Sequence, residues 1–159
     1  MLRNIIKKYK IDNSGKTDAL YFKKNSLNIL DKKTLDDLIK LANKKKTNIR
    51  LCFHRSKKSD LHSMVNIIFS KNNPEKYHKH LYKDEVYQHI KGSLEIAIIE
   101  KKKQKKIFLN KETIILRVPK NVFHKVKSIS RYSVFHEIRK GPFNKNDSIV
   151  VVQFEAIEN

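Results

Sequence analysis

His78-Lys-His80-Leu-Tyr-Lys-Asp-Glu85-Val-Tyr-Gln-His-Ile-Lys-Gly92 is the stretch on which the fold turns, and Pro119-x-Asn121-x-x-His124 completes its meaning. Side chains of a β-strand alternate between faces, so His78 and His80, two apart, point the same way and can share one ion. Glu85 and His124 then fill out the ligand set. The run from Glu85 to Lys91 reads as a strand, Gly92 as a tight turn and Leu94 to Glu100 as the returning strand. His124 follows Arg117-Val118-Pro119, a strand that ends in a turn. Three imidazoles and a carboxylate suit one divalent transition metal, Fe, Mn, Ni, Cu or Zn. Four protein ligands leave positions for water or substrate when the metal takes five or six, which points to chemistry or ligand binding rather than to a structural ion. A lone His-x-His pair among seven histidines would carry little weight; the combined spacing, each residue near a strand end, carries the metal reading.

Outward from that block the chain is a series of short β-rich runs. After Thr47 come IRLCF, MVNIIF, EVYQHI, LEIAII, KIFL, TIILRV, VFHKV, YSVFHEI and SIVVVQF, with short connections and no second helix between them. Many short strands at regular spacing predict a sandwich or barrel. Ahead of them, Leu35, Leu38, Ile39 and Ala42 fall on one face of an amphipathic helix spanning about 33–45, with Thr34 and Asp37 placed as a capping box. Residues 1–20 are polar, basic and without period, and read as a loosely held arm. The expected organisation is thus an arm at 1–20, a helical segment at 21–48 that packs on the barrel, and a barrel domain at 49–159. Leu20, Tyr21, Phe22, Leu27, Ile29 and Leu30 give the segment before the barrel more apolar surface than one helix needs. Covering a barrel edge or pairing with a second copy would bury it, and a homodimer is expected.

A length of 159 residues with 39% hydrophobic content supports one core. No stretch approaches the roughly 20 apolar residues needed to cross a bilayer, and the first residues lack the apolar centre of a secretory signal, so no membrane insertion and a cytoplasmic location are expected. The single Cys52 cannot form an internal disulfide and reads as a small buried side chain in IRLCF. The net charge of +20 would ordinarily suggest a polyanion. Here the lysines are scattered along a chain rich in Lys, Asn and Ile and holding only three glycines, which speaks for a compositional bias rather than one nucleic-acid surface. The dense run KKKQKK at 101–106 reads as a solvated hairpin tip.

The metal-ligand block and the strand count together resemble the cupin family, the double-stranded β-helix form of the jelly roll. His78, His80, Glu85, Gly92, Pro119 and His124 occupy positions matching its two motifs; Asn72, Thr113, Asn121 and Ser128 depart from them, none at a ligand position. Asn tolerates positive φ, so Asn72 and Asn121 replace turn glycines at little cost. From about Tyr21 to Ile149 the chain also resembles the WbuC-family cupin fold metalloproteins, through the helix ahead of the barrel, Arg50-Leu-Cys-Phe-His54-Arg-Ser56, the His78–Gly92 block and the run from Val134 to Gly141-Pro142-Phe143. That resemblance implies a role in surface polysaccharide synthesis (O-antigen or capsule) on a nucleotide sugar or glycan intermediate.

On the same resemblance Arg50 and His54 would reach the pocket and clasp a phosphate or carboxylate of a small anionic substrate. His89 shares parity with Glu85 and Tyr87 in a regular strand and would support a ligand by hydrogen bond; a bulge would reverse that. Tyr87 reads as core with its hydroxyl satisfied. His136 is favoured over Glu137 to line the barrel, with Val134 and Ile138 as companions, and His62 reads as ordinary surface. The leading functional expectation is a metal-dependent isomerase or epimerase of a nucleotide-linked sugar. The alternatives are an iron-dependent dioxygenase and a non-enzymatic sensor or binding module.

Overall fold

The computed structural model describes residues 7–15, 17–23, 27–74 and 76–151. Residues 1–6 of the expected arm and the end of SIVVVQF, 152–154, lie outside them. The strands are β1 (Tyr9–Asp12), β2 (Thr17–Phe22), β3 (Asn48–Cys52), β4 (Leu61–Phe69), β5 (Tyr77–His80), β6 (Glu85–Lys91), β7 (Leu94–Glu100), β8 (Lys103–Leu109), β9 (Ile115–Val118), β10 (Phe123–Ser128), β11 (Tyr132–Lys140) and β12 (Ser148–Val151), with the helix α1 (Lys32–Lys45) between β2 and β3. They form a seven-stranded sheet in the order β1-β2-β3-β4-β11-β6-β9 and a five-stranded sheet in the order β12-β5-β10-β7-β8. All pairings are antiparallel except β2 with β3. This is the jelly-roll arrangement of a cupin fold, as the strand count predicts.

Two apolar clusters hold it. Between the sheets, Ile68, Tyr87, Leu94, Ile96, Ile98, Leu109, Val118, Val126 and Phe135 fill one end of the barrel. On the outer face of the large sheet, Ile49, Leu51, Val65, Ile67 and Val134 pack against Leu38, Leu41 and Ala42 of α1. Strand β4 therefore serves both cores, which is why MVNIIF reads as a continuous apolar run rather than an alternating one. Each fully buried Leu or Ile contributes about 1.5–3 kcal/mol by leaving water.

Helix α1 begins one turn earlier than a Thr34 cap implies. Asp31 is the N-cap, accepting a hydrogen bond from the Thr34 N–H at 2.6 Å, and its carboxyl is held below the usual range chiefly by that bond. At the other end Lys46 adopts the left-handed conformation, φ 53°, and its N–H closes on the carbonyls of Ala42 and Asn43.

Two strands were not legible in the sequence. β1 and β2, inside the segment expected as a loose arm, pair with each other and extend the large sheet past β3, burying Tyr9 and Leu20. The apolar excess before the barrel thus covers a sheet edge in part, while Leu27 and Ile29 remain exposed. β5, four residues long, carries His78 and His80 on a strand, as their spacing implies.

The turn residues divide. Gly92 has φ +77°, and a Cβ there would lie 2.4 Å from the Tyr132 carbonyl oxygen, so only glycine fits. Asn121 takes φ 64° as expected. Asn72 does not; it sits in a short 3-10 turn, where its side chain donates to the Lys46 carbonyl at 3.2 Å. The hairpin tip at Lys101 and Lys102, φ 48° and 65°, joins β7 to β8 as the lysine run implies.

Candidate functional site

Cross-strand register assembles the site. In the small sheet His124 of β10 lies opposite His78 of β5, and His80 lies opposite Ser148 of β12. In the large sheet Glu85 of β6 lies opposite Arg139 of β11, and Tyr87 opposite Glu137. Residues directly opposite share a face, so Glu85, Tyr87, Glu137 and Arg139 all turn inward towards the histidines of the other sheet.

The ligand atoms of His78, His80 and Glu85 lie within 4.8 Å of one another and could hold a metal ion. The donor set fits such an ion. His80 Nε2 is buried without a hydrogen-bond partner; it lies 3.0 Å from Glu85 Oε1 but misaligned for a bond. The other nitrogen, Nδ1, lies 3.1 Å from Asp147 Oδ2 and 3.0 Å from Ser148 Oγ. A carboxylate behind a histidine fixes the ring and raises its basicity as a ligand. Asp147 is itself buried, accepts from the Tyr82 N–H at 2.9 Å and pairs with the buried Lys83 at 2.6 Å.

His124 stands beside this group, its ring centroid 4.3 Å from that of His78, but its bonds go elsewhere. Nε2 reaches Glu85 Oε2 at 2.8 Å and Nδ1 reaches the Val122 carbonyl at 3.0 Å. Both partners are acceptors, an arrangement that favours a proton on each ring nitrogen. Burial works against that charge, but the Glu85 carboxylate outweighs it and raises the pKa. Where the sequence reading makes His124 a fourth ligand, the structure gives it as the hydrogen-bond partner of Glu85.

Glu85 is the hub. Burial would raise its pKa, but the bond from His124, the close approach of His80 and the charge of Arg139 hold the carboxyl well below its usual range. Arg139 Nη1 donates to Glu85 Oε1 at 2.8 Å and lies 3.3 Å from Glu137 Oε1. The Tyr87 hydroxyl donates to Glu85 Oε2, so its core role with a satisfied hydroxyl holds; burial and the nearby carboxylates push its pKa far up. His78 is driven the other way, to about 4, first by burial and then by the charge of His124, and is neutral at pH 7.

Part of this cluster lines a cavity of about 630 Å³, the size of a ligand pocket. His78, Glu85, Tyr87, Glu137 and Arg139 are on its wall, with Lys46, Arg50 and Lys76 supplying cations. Arg50 enters as expected, its Nε donating to Asn66 Oδ1 at 2.9 Å while Asn66 donates to Glu137 at 3.0 Å. His54 does not. It lies past the end of β3, stacked on His62 with centroids 4.3 Å apart, in a separate cavity of about 270 Å³. His89 is outside both cavities: its Nε2–H donates to the Gly92 carbonyl at the β6–β7 turn, at 2.8 Å. The register pairs His89 with the inward-facing Phe135, so the expected parity with Glu85 and Tyr87 holds, but at the end of the strand its ring is taken up by the turn instead of the cavity.

The preference for His136 over Glu137 is also reversed. His136 faces the helix side and contacts Ser63 Oγ at 2.8 Å, and Glu137 faces the cavity. His62 is buried, not surface, and Cys52 is buried, its thiol pushed up to about 11 chiefly by desolvation. Sequence reasoning missed Arg139, Glu137, Lys83 and Asp147. Arg139 and Glu137 alternate with Phe135 in β11, a signal readable only once one of the three is known to face inward.

The fold and site define a cupin-type barrel with a buried histidine–carboxylate cluster. Residues 31–155 match the family model described as FdtA: WxcM-like, C-terminal, and the chain belongs to that family. Among solved structures it is similar to protein SO0799 from Shewanella oneidensis, at 17% identity over 73% of this chain and 83% of that one, TM-score 0.57. It is also similar to the capsular polysaccharide assembling protein CapF from Staphylococcus aureus, at 15% identity over 63% of this chain and 30% of that one, TM-score 0.53. The WlaRB TDP-quinovose 3,4-ketoisomerase from Campylobacter jejuni matches at 26% identity over 54% of this chain and 67% of that one, TM-score 0.46. No curated protein sequence matches the chain. Among the described residues no helix is long and apolar enough to cross a membrane.

Proposed function

We propose that the barrel cavity isomerises or epimerises a nucleotide-linked sugar in surface polysaccharide assembly, with His78, His80 and Glu85 holding one divalent transition metal. The observation that supports this most is a pair of neighbouring imidazoles, ring centroids 4.3 Å apart, shifted in opposite directions: His78 on the cavity wall, lowered to about 4 by burial, and His124 next to it, raised by the Glu85 carboxylate. Moving a proton between neighbouring carbons of a sugar needs one group to take it and another to return it. A metal, when bound, would act as a Lewis acid on a substrate oxygen. The chain's own residues do the rest. Asp147 holds the His80 ring, Arg139 keeps Glu85 ionised, and Glu85 keeps His124 protonated with Tyr87 beside it. The cations Lys46, Arg50 and Lys76 at the cavity fit an anionic, phosphate-bearing substrate. Family membership and the finer resemblance to WbuC proteins favour the polysaccharide setting.

A second reading keeps the acid–base pair and dispenses with the metal. It is favoured by the saturation of Glu85, which already engages Arg139, His124 and Tyr87 and would have to loosen one of them to bind an ion. Incubating the protein with nucleotide-linked keto sugars in deuterated water tests the function itself. Deuterium entering the carbon next to the carbonyl, and lost in His124→Gln, supports it. No exchange with any sugar despite tight binding makes the chain a binding module.

A further inference from the structure

The cavity of about 270 Å³ that contains His54 is not part of the barrel pocket, and nothing in the proposed chemistry uses it. It lies between the β1–β2 hairpin and the mouth of the large sheet, with Asp12, Tyr21, Lys57 and His62 among its lining and with Arg50 and Arg139 shared with the barrel cavity. Three of its features point to a ligand. The first is charge: Arg50, Lys57 and Arg139 line it, and the one carboxylate there, Asp12, is engaged by Ser14 at 2.6 Å and Lys57 at 3.0 Å. The second is an orphaned donor, since Arg139 Nε is buried with no partner while Nη1 serves Glu85 and Glu137. The third is His62, 3% exposed, whose ring N–H donates to the backbone of Lys57 and whose Nε2 is buried with no partner. A buried polar atom left without a partner costs about 1–3 kcal/mol, and both of these belong to side chains that line the one cavity.

We propose that this cavity is a second binding site, one that takes a small oxyanion of the phosphate class. The guanidinium Nε of Arg139 and the charges of Arg50 and Lys57 face its ionised oxygens, and neutral His62 accepts from a protonated one. The anion has two sources. It is free inorganic phosphate, in which case the site stands independently of the function proposed above; or it is the phosphate of a nucleotide sugar that reaches past Arg50 and Arg139 from the barrel, which rests on that function.

Calorimetric titration of the full chain at pH 7 with inorganic phosphate, and separately with a nucleoside diphosphate, tests it. Phosphate is expected to bind to the native chain and to His78→Asn, and to bind about tenfold more weakly or worse in Lys57→Met and His62→Leu. A nucleoside diphosphate that binds more tightly than phosphate, and loses affinity in both His62→Leu and His78→Asn, identifies the nucleotide as the source; equal affinities identify the free anion. Because His62→Leu alters a buried site, Tyr21→Phe and Lys57→Met at the rim serve as the arms for which folding is secure. Binding of either anion unchanged by every variant of this cavity, or no binding at all, overturns the proposal. Loss of sugar turnover in His78→Asn with phosphate affinity intact separates its fate from that of the barrel site.

Discussion

Arg139 and Glu85, opposite each other on β11 and β6 of the large sheet, form a buried ion pair of 2.8 Å, and Glu85 in turn reaches across to His124 of the small sheet. Through its other contact, 3.3 Å to Glu137, the same guanidinium serves a second buried carboxylate. Removing it leaves two acids in a low-dielectric interior with no cation. Arg139→Met is therefore expected to cost about 3–5 kcal/mol in urea unfolding, and adding Glu137→Gln to recover part of that loss. A cost under about 1 kcal/mol would show that the pair does not hold the site.

Asp147 stands behind His80 as Arg139 stands behind Glu85. Asp147→Asn keeps the shape but removes the charge that orients the ring and pairs with Lys83. Metal affinity, measured by competition with a coloured chelator, is expected to fall about 10–100-fold. Unchanged affinity would mean that His80 is held without it.

The stacked pair His54 and His62 sets a pH dependence. Burial, then the charges around them (His54 and Arg139 for His62, with Lys83 beyond), lowers both, His62 to about 4. Their folded-state pKa values lie below the unfolded value of about 6.5, so the unfolded chain binds more protons across that interval. Their contribution to stability is present above about pH 6.5 and is lost as pH falls towards 4. Melting temperature should fall over that range, and His62→Gln should flatten the slope. An identical slope in the variant would assign the effect to other groups.

The β7–β8 tip places two lysines at positive φ, where the type I′ turn prefers Asn-Gly. Replacing Lys101–Lys102 by Asn-Gly is expected to stabilise the protein by about 1 kcal/mol, read as a higher melting temperature. A drop would mean that the lysine charges, not the backbone, decide this turn.

How much of this was readable beforehand follows from period and register. The strand at Glu85 and the helix at Leu38 announced themselves through alternation and through a 3.6-residue stripe, and the His78, His80 and Glu85 spacing gave the cluster because it is local. Arg139, 54 residues from Glu85, is placed by strand pairing, which no local pattern encodes. The parity of β11 was misread because Val134 and Ile138 are as apolar as an inward face requires; helix α1 covers Val134 from outside, so hydrophobicity there does not mark the barrel interior. Asp147 lies in a short 3-10 turn whose sequence, Lys145-Asn146-Asp147, looks like an ordinary loop. β1 and β2 were hidden by their polar residues: Lys10 is exposed on the edge strand β1, while Asp18 of β2 is buried against Lys45, a pairing no local pattern encodes.

The most direct test of the metal cluster is elemental mass spectrometry on untagged protein, native and His80→Ala. One transition metal per chain in the native protein, lost in His80→Ala, is the expected result. No metal in either sample, with both folded, would contradict the metal site and leave His78 and His124 as a metal-free acid–base pair.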